Sequence, residues 1–176
     1  MTNDELLQVI EQAARDKVKK LDLGNKQLTA LLPEIGQLVD LQELYLHGNQ
    51  LTVIPPQAAK LTDLRVLVLC RNQLAALPPP IGQFTNLALL DLSDNRLTTL
   101  PSEIGRLTNL ATLNLSGNQL TELAPEIGRL IHLRWFILAY NQLAALPPEI
   151  GHLRDLTWLD LSSNRPREGV SSMKIG

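Results

Sequence analysis

The sequence predicts an α/β-type solenoid, a fold in which short coils of chain stack side by side around a shared core. The first observation is a pattern of apolar residues that returns every 23 residues, without insertion or deletion, from Val18 to Leu156. The second is the composition: 44% of the residues are hydrophobic but only 3% are aromatic, which requires an aliphatic core. A strict period of this length indicates stacked supersecondary units rather than a single globular core.

Each repeat predicts one short strand followed by an irregular return segment. The Leu-x-Leu segment at 90–92 predicts a strand with one buried face. Asn95, three residues later, is expected to turn the chain inward and to bond backbone groups of neighbouring coils that would otherwise be buried unpaired. Pro101 and Gly105 favour a 3₁₀ or irregular return over a long helix, since proline lacks an N–H and glycine tolerates unusual dihedral angles. The strands therefore form a parallel sheet on the concave side of the solenoid.

The repeat resembles LxxLxLxxNxLxxLPxxIGxLxx, the pattern of leucine-rich-repeat (LRR) proteins, in six full copies and a partial seventh over residues 18–164. The resemblance implies a right-handed coil with a concave parallel sheet, and a module that binds a protein partner rather than an enzyme. The cap segment ending in QAAR, with the LDL and LP-x-EIG repeats that follow it, is also similar to the LRR segment of bacterial Roco proteins. Plant intracellular Ras-group LRR proteins have a similar repeat. The Roco resemblance implies regulation of a GTPase, in cis or in trans, with the phosphate loop supplied by a partner or by a region outside this sequence.

The two ends of the solenoid are predicted to differ. Residues 1–17 predict a capping helix, with Thr2 and Glu5 forming a capping box and an apolar stripe that includes Leu6 and Ile10. Residues 165–176 continue no part of the pattern. This tail folds over the last coil, or the edge pairs with another molecule in self-association, or the chain is cut from a longer protein.

Some repeats depart from the pattern inside the solenoid. Lys26 replaces the asparagine of the first repeat, next to the cap. Ala58 and Ala59 replace Ile-Gly in the second repeat, which predicts a slightly underpacked coil, at a smaller cost than the ~2–5 kcal/mol of a buried Leu→Ala change.

The candidate partner-binding residues lie between the strand leucines, where side chains point outward from the concave face. Adjacent strands lie about 4.8 Å apart, so Trp135 and Trp158 should be close neighbours. Exposed aromatic residues and arginine are frequent interface anchors. The predicted patch contains Trp135, Trp158, Ile137 and Tyr140, a second apolar cluster contains Tyr45, Val66, Val68 and Leu89, and the predicted rim is Arg71, Asp94 and Arg134. Alternatively, the tryptophans shield each other and the C-terminal edge.

Composition and motifs argue against several other classes of function. A net charge of −2 without a basic block argues against nucleic-acid binding, and no signal peptide or membrane span is predicted. The single cysteine, Cys70, favours a reducing compartment, and we expect a cytoplasmic protein. No sequence motif indicates a catalytic, metal or cofactor site. Arg71 could lower the pKa of Cys70, but His47 is the only candidate base and no third group orients it.

Three other readings stay open. The tryptophan pair could serve as a stacking platform for a carbohydrate or another small ligand. The chain could be a fragment like the bacterial LRR ubiquitin ligases, although their catalytic cysteine lies in a separate domain and none fits here. It could also be a structural remnant without a function of its own.

Overall fold

A single parallel β-sheet runs the length of the solenoid in the computed structural model, which describes residues 1–164. The strands pair in sequence order, and each residue faces the one 23 positions later, as Leu90 faces Leu113. Short 3₁₀ turns, from Pro33–Gln37 to Pro148–His152, form the opposite side. The predicted fold class is therefore confirmed. The strands are β1 (Lys20–Asp22), β2 (Glu43–Tyr45), β3 (Val66–Val68), β4 (Leu89–Asp91), β5 (Thr112–Asn114), β6 (Trp135–Ile137) and β7 (Trp158–Asp160).

The core lies between the sheet and the turns and is almost entirely aliphatic. Nearly all leucines of the repeat are buried; Leu90, Leu92 and Leu97, for example, have no exposed surface, while Leu21 and Leu146 are partly buried. Phe84 and Phe136 occupy leucine positions and are buried with them. Burying one such side chain is worth roughly 1.5–3 kcal/mol, so each coil gains stability only by stacking on its neighbours.

A ladder of asparagine side chains joins the coils at the end of the strands. The Asn95 Nδ2 group donates to the carbonyl oxygens of Leu69 in the preceding coil, at 3.0 Å, and of Leu92 in its own coil, also at 3.0 Å. Its Oδ1 atom accepts from the backbone N–H of Leu74 at 3.0 Å. The predicted role of this asparagine is confirmed, and the same bonds recur at Asn49, Asn72, Asn118, Asn141 and Asn164.

The N-terminal end is covered by helix α1 (Asn3–Arg15). Its predicted capping box is present: Thr2 Oγ1 accepts from the Glu5 N–H at 3.2 Å, and Glu5 Oε2 accepts from the Thr2 N–H at 2.7 Å. Leu6 and Ile10 are fully buried, and α1 packs against the first 3₁₀ turn. The predictions for residues 165–176 lie outside the described residues.

Close packing between turns depends on a glycine. A Cβ atom built at Gly105 would lie 2.6 Å from the carbonyl oxygen of Glu126 in the next coil, and Gly36, Gly82 and Gly128 are confined in the same way. Ala59 stands at this position in the second coil, and its turn, Pro56–Lys60, packs more loosely on the following one than other adjacent turns do. A shallow apolar cleft opens there, where the sequence predicted underpacking. It is lined by Ile54, Pro55, Pro56, Ala58, Ala59, Pro78, Pro80, Ile81 and Phe84.

Candidate partner-binding surface

The exposed face of the sheet carries two rows of side chains, because every strand pairs with the next in register. The first row holds the residue before the central leucine or phenylalanine of each strand, and the second row holds the residue after it. The first row is Lys20, Glu43, Val66, Leu89, Thr112, Trp135 and Trp158. The second row is Asp22, Tyr45, Val68, Asp91, Asn114, Ile137 and Asp160.

Trp135 and Trp158 form an aromatic pair at the C-terminal end of the first row. Their ring centroids lie 6.0 Å apart, with the planes tilted by 31°. Trp135 is 50% exposed and Trp158 is half-buried. Ile137, half-buried, follows Trp135 on the other side of the strand centre, and Tyr140 is 67% exposed three residues further on. We call these four residues the tryptophan patch.

Tyr140 occupies a turn that the sequence analysis missed. Its φ angle is +56°, in the left-handed region, and the same repeat position has a positive φ in every described coil. For a side chain as large as tyrosine this conformation is uncommon and costs on the order of 1–3 kcal/mol. The turn could have been predicted from the sequence, because this repeat position also holds Asn25, Gly48, Asp94 and Gly117, residue types that tolerate left-handed backbone.

The N-terminal apolar cluster differs because its tyrosine is bound within the sheet. The Tyr45 hydroxyl donates to Glu43 Oε2 at 3.0 Å, and Lys20 Nζ lies 4.6 Å from the centre of the tyrosine ring. This hydrogen bond to Glu43, with partial burial, raises the pKa of Tyr45 above its usual 10.0. Val66, Val68 and Leu89 are each half-buried. None of these four side chains is fully exposed, whereas Trp135 and Tyr140 of the tryptophan patch are exposed.

Between the two apolar clusters, the second-row side chains of β4 and β5 accept hydrogen bonds from the residues that follow their own strands. Asp91 Oδ1 accepts from the Ser93 N–H at 3.0 Å and from its hydroxyl at 2.7 Å. Asn114 makes the same two bonds with Ser116. The polar stretch is thus held in fixed rotamers at the ends of the strands.

The predicted rim residues lie in two separate places. Arg71 Nε and Asp94 Oδ2 are 3.7 Å apart on the third and fourth coils, and both side chains are exposed. Strand β5 lies between these coils and the tryptophan patch. Arg134 is exposed and directly precedes Trp135, so of the three rim residues only Arg134 borders the pair.

Cys70 does not have the environment of an activated nucleophile. Burial raises the pKa of its thiol and Asp91 raises it further, outweighing the opposing effect of Arg71. Arg71 does lower this pKa, as the sequence suggested, but the net shift is upward because desolvation of the thiolate dominates. The ring of His47 lies against Gly24, where a Cβ atom would collide with it. Within residues 1–164 no three metal-ligating side chains cluster, and no helix has the length and apolarity to cross a bilayer.

Two family models match the sequence. The leucine-rich-repeat model matches residues 62–120 and 108–165, and the model for two copies of the repeat matches residues 39–82. The first of these alone covers more than half of the chain. No curated protein sequence matches the chain. The LRR fold is a non-enzymatic scaffold that generally mediates protein–protein interaction.

Several solved structures are similar to the chain, among them an LRR protein and the LRR ectodomain of a plant receptor kinase. One from Leptospira interrogans is 43% identical with a TM-score of 0.82, and the match covers 88% of this chain and 40% of that protein. The plant peptide hormone receptor RGFR1, in complex with RGF2, is 30% identical with a TM-score of 0.71, covering 78% and 23%. The ectodomain of the Arabidopsis thaliana receptor kinase GASSHO1/SCHENGEN3, in complex with CASPARIAN STRIP INTEGRITY FACTOR 2, is 35% identical with a TM-score of 0.76, covering 85% and 19%. The chain thus spans less than half the length of each.

Proposed function

We propose that this chain, which belongs to the leucine-rich-repeat family, binds a protein partner on the concave face of its sheet, with the tryptophan patch as the anchor. The observation that carries the proposal is the pairing of Trp135 with Trp158 on adjacent strands, where half of the Trp135 surface is exposed. Large aromatic side chains on a rigid sheet lose little conformational entropy on binding, which is why they dominate interface energetics.

The surroundings of the pair support a binding role over a packing role. The core beneath it is complete, since Phe136 and Leu138 have no exposed surface and Leu159 is 3% exposed. The tryptophans therefore fill no gap in the interior. Two of the similar plant receptors were solved in complex with RGF2 and CASPARIAN STRIP INTEGRITY FACTOR 2, in agreement with a binding use of the fold.

A capture experiment tests the proposal with a matched control. The double variant Trp135→Ala, Trp158→Ala is compared with Ile131→Ala, which removes an apolar side chain that is 46% exposed in the segment between the 3₁₀ turn Pro125–Arg129 and β6. We expect the tryptophan variant to lose proteins that both wild type and Ile131→Ala recover from the source cell's lysate. Circular dichroism checks that all three are folded. Recovery of the same proteins by the tryptophan variant would contradict the proposal, and its unfolding would favour the shielding role.

For the class of partner, we propose a GTPase, on the resemblance of the cap and repeats to the LRR segment of Roco proteins. Capture is then expected to depend on the nucleotide state, because GTPase surfaces change when the γ-phosphate is lost. Parallel captures in GDP and in a non-hydrolysable GTP analogue measure this dependence. Identical recovery in both would count against a GTPase partner.

A carbohydrate or small ligand is the second candidate for the same patch. The observation that favours it is the tilted tryptophan pair, with the polar residues Asn114 and Asp160 flanking Ile137 on the adjacent strands, since sugars stack on aromatic rings and bond to amides and carboxylates. Saturable quenching of tryptophan fluorescence by soluble glycans supports this candidate. An unchanged emission spectrum across a glycan panel argues for the protein partner.

Self-association through the C-terminal edge is a further part of the proposal. Among residues 1–164, β7 is the last strand of the sheet and pairs with β6 alone. The edge of a parallel sheet can pair with a second copy. Sedimentation velocity over a wide concentration range is expected to show a dimer, and a monomer throughout would contradict self-association.

A further inference from the structure

The second row of the concave face carries negative charge that no cation among residues 1–164 neutralises in an ion pair. Lys20 and Arg71 are each already within ion-pair distance of another acid, at 3.5 Å from Glu43 and 3.7 Å from Asp94. Three further carboxylates stand in the second row, all at the same repeat position: Asp22, Asp91 and Asp160. Asp91 and Asp160 use Oδ1 to accept local backbone N–H groups, and neither forms an ion pair within residues 1–164.

Resting on the proposed function, we infer that the partner contributes an extended peptide segment with two basic residues four positions apart and an apolar residue between them. The basic side chains pair with Asp91 and Asp160, and the apolar side chain contacts Ile137 and the tryptophan pair. The segment crosses the strands along the second row. The partner is therefore recognised by a basic–x–apolar–x–basic pattern.

The register of the sheet sets the spacing of this pattern. The second row reads Asp91, Asn114, Ile137 and Asp160 on consecutive paired strands. Three strand spacings separate the two aspartates, about 14 Å at roughly 4.8 Å each. An extended peptide advances about 3.3 Å per residue, so residues four apart span about 13 Å and point to the same side. The residue midway between them then lies between Asn114 and Ile137, beside Trp135 in the first row.

Two exposed arginines near the first row favour the second row for a basic ligand. Arg65 and Arg134 are exposed and precede β3 and β6, at the opposite end of the strands from the second row. They repel basic side chains from the first-row edge. The arginines oppose the binding of a basic peptide at the first row, and the aspartates attract its basic side chains to the second row. Together these charges orient the peptide.

The chain itself shows that the carboxylates can be neutralised without disturbing the fold. Asn114 occupies the same repeat position as Asp91 and bonds Ser116 at 3.1 and 2.8 Å, nearly the 3.0 and 2.7 Å of Asp91 to Ser93. Asp91→Asn and Asp160→Asn therefore remove charge while preserving the local hydrogen bonds. Asp22→Asn, three strands from Asp91 in the same row, is the matched control.

The test uses three capped peptides: Gly-Lys-Ser-Leu-Ser-Lys-Gly, its isomer Gly-Lys-Lys-Ser-Leu-Ser-Gly, and the acidic Gly-Glu-Ser-Leu-Ser-Glu-Gly. Binding is followed by NMR through the indole N–H groups of Trp135 and Trp158. We expect saturable shifts with the first peptide, about tenfold weaker binding by the isomer, and none by the acidic peptide. The double variant Asp91→Asn, Asp160→Asn is expected to weaken the first peptide about tenfold, while Asp22→Asn leaves it unchanged.

Equal binding of the two lysine peptides, or full binding by the double asparagine variant, overturns the inference. The lysate capture separates this failure from that of the proposed function. If the tryptophan variant loses the partner and the double asparagine variant keeps it, the concave surface binds a protein but not through basic residues. If the tryptophan variant keeps the partner, the proposed function itself fails.

Discussion

The N-terminal part of the solenoid, α1 with β1–β3, and the C-terminal part, β4–β7, handle irregular residues in opposite ways. In the N-terminal part the departures from the repeat fall at positions that join neighbouring coils: Lys26, which is exposed, replaces the ladder asparagine, and Ala59 replaces the packing glycine. In the C-terminal part the ladder asparagines are all present, and Gly105 and Gly128 pack on the next coil. Its departures from the pattern, Ala124 for proline and Phe136 for leucine, leave the ladder and the glycine contacts intact, and its tryptophan pair lies on the concave face.

This difference supports the proposed binding role of the tryptophan pair. Each ladder asparagine reaches back to the preceding coil, and the first coil has no predecessor except α1, so Lys26 leaves no carbonyl of an earlier coil unpaired. Tyr45 at the same end is held by Lys20 and Glu43. The tryptophan pair, by contrast, covers a regular interior and has no such internal explanation, which is why we assign it to binding.

The largest expected effect comes from the ladder position. Asn95→Ala removes the bonds to three carbonyl oxygens and to one N–H, and each buried group left unpaired costs about 1–3 kcal/mol. We expect the free energy of unfolding to fall by about 3 kcal/mol or more. Lys26→Ala, at the same repeat position in the N-terminal part, should change it by less than about 0.5 kcal/mol. Urea denaturation followed by circular dichroism measures both changes. Equal losses of unfolding free energy would mean that this repeat position contributes the same stability in the N-terminal and C-terminal parts.

The next largest effect on stability is expected where adjacent 3₁₀ turns pack against each other. Gly105→Ala forces a Cβ atom against the Glu126 carbonyl, and overpacking of this kind costs about 1–3 kcal/mol. The reverse change, Ala59→Gly, allows the two turns to pack more closely. Glycine also raises the conformational entropy of the unfolded chain, which opposes folding, so we expect a net change in stability within about 1 kcal/mol. Thermal denaturation compares the two. If Gly105→Ala causes no loss of thermal stability, the contacts between adjacent turns accept a Cβ atom equally well in both parts.

A smaller and local effect is expected at the cap. Thr2→Ala removes the side-chain acceptor for the Glu5 N–H, and losing such a cap costs about 1 kcal/mol. Hydrogen exchange should accelerate in α1 while the amides of β4–β7 keep their protection. Uniform acceleration over both parts would mean that the solenoid unfolds as one unit.

The smallest effect is the titration of Tyr45. Because its pKa is raised in the folded state, its contribution to stability is complete below pH 10.0 and is lost as the pH rises through the folded pKa. In a Tyr140→Phe background, tyrosinate absorbance should therefore report a midpoint above 10.0. Glu43→Gln should lower that midpoint, since the hydrogen bond to Glu43 is the main cause of the shift. If Glu43→Gln leaves the midpoint unchanged, the Tyr45 hydroxyl is not held by its hydrogen bond to Glu43.

Much of the surface could be predicted from the period, because register follows directly from it. The neighbouring positions of Trp135 and Trp158 needed only the 23-residue step and the strand spacing. The partners of individual side chains could not be predicted in this way. Arg71 pairs with Asp94 away from the tryptophan patch, and Tyr45 donates to Glu43 two residues before it, because rotamers and local distances decide such contacts.

The sequence by itself determined the coil, its strands and return turns, the asparagine ladder and the helix that caps the first coil, because each depends on residue types repeated at constant spacing. The tertiary structure decided which outward side chains are free. Tyr45 and the tryptophans look alike as aromatic residues at outward repeat positions, yet Tyr45 is held by two charged neighbours and half of Trp135 is exposed. The physical reason is that a period specifies backbone register, whereas exposure depends on the particular side chains that adjacent coils bring together.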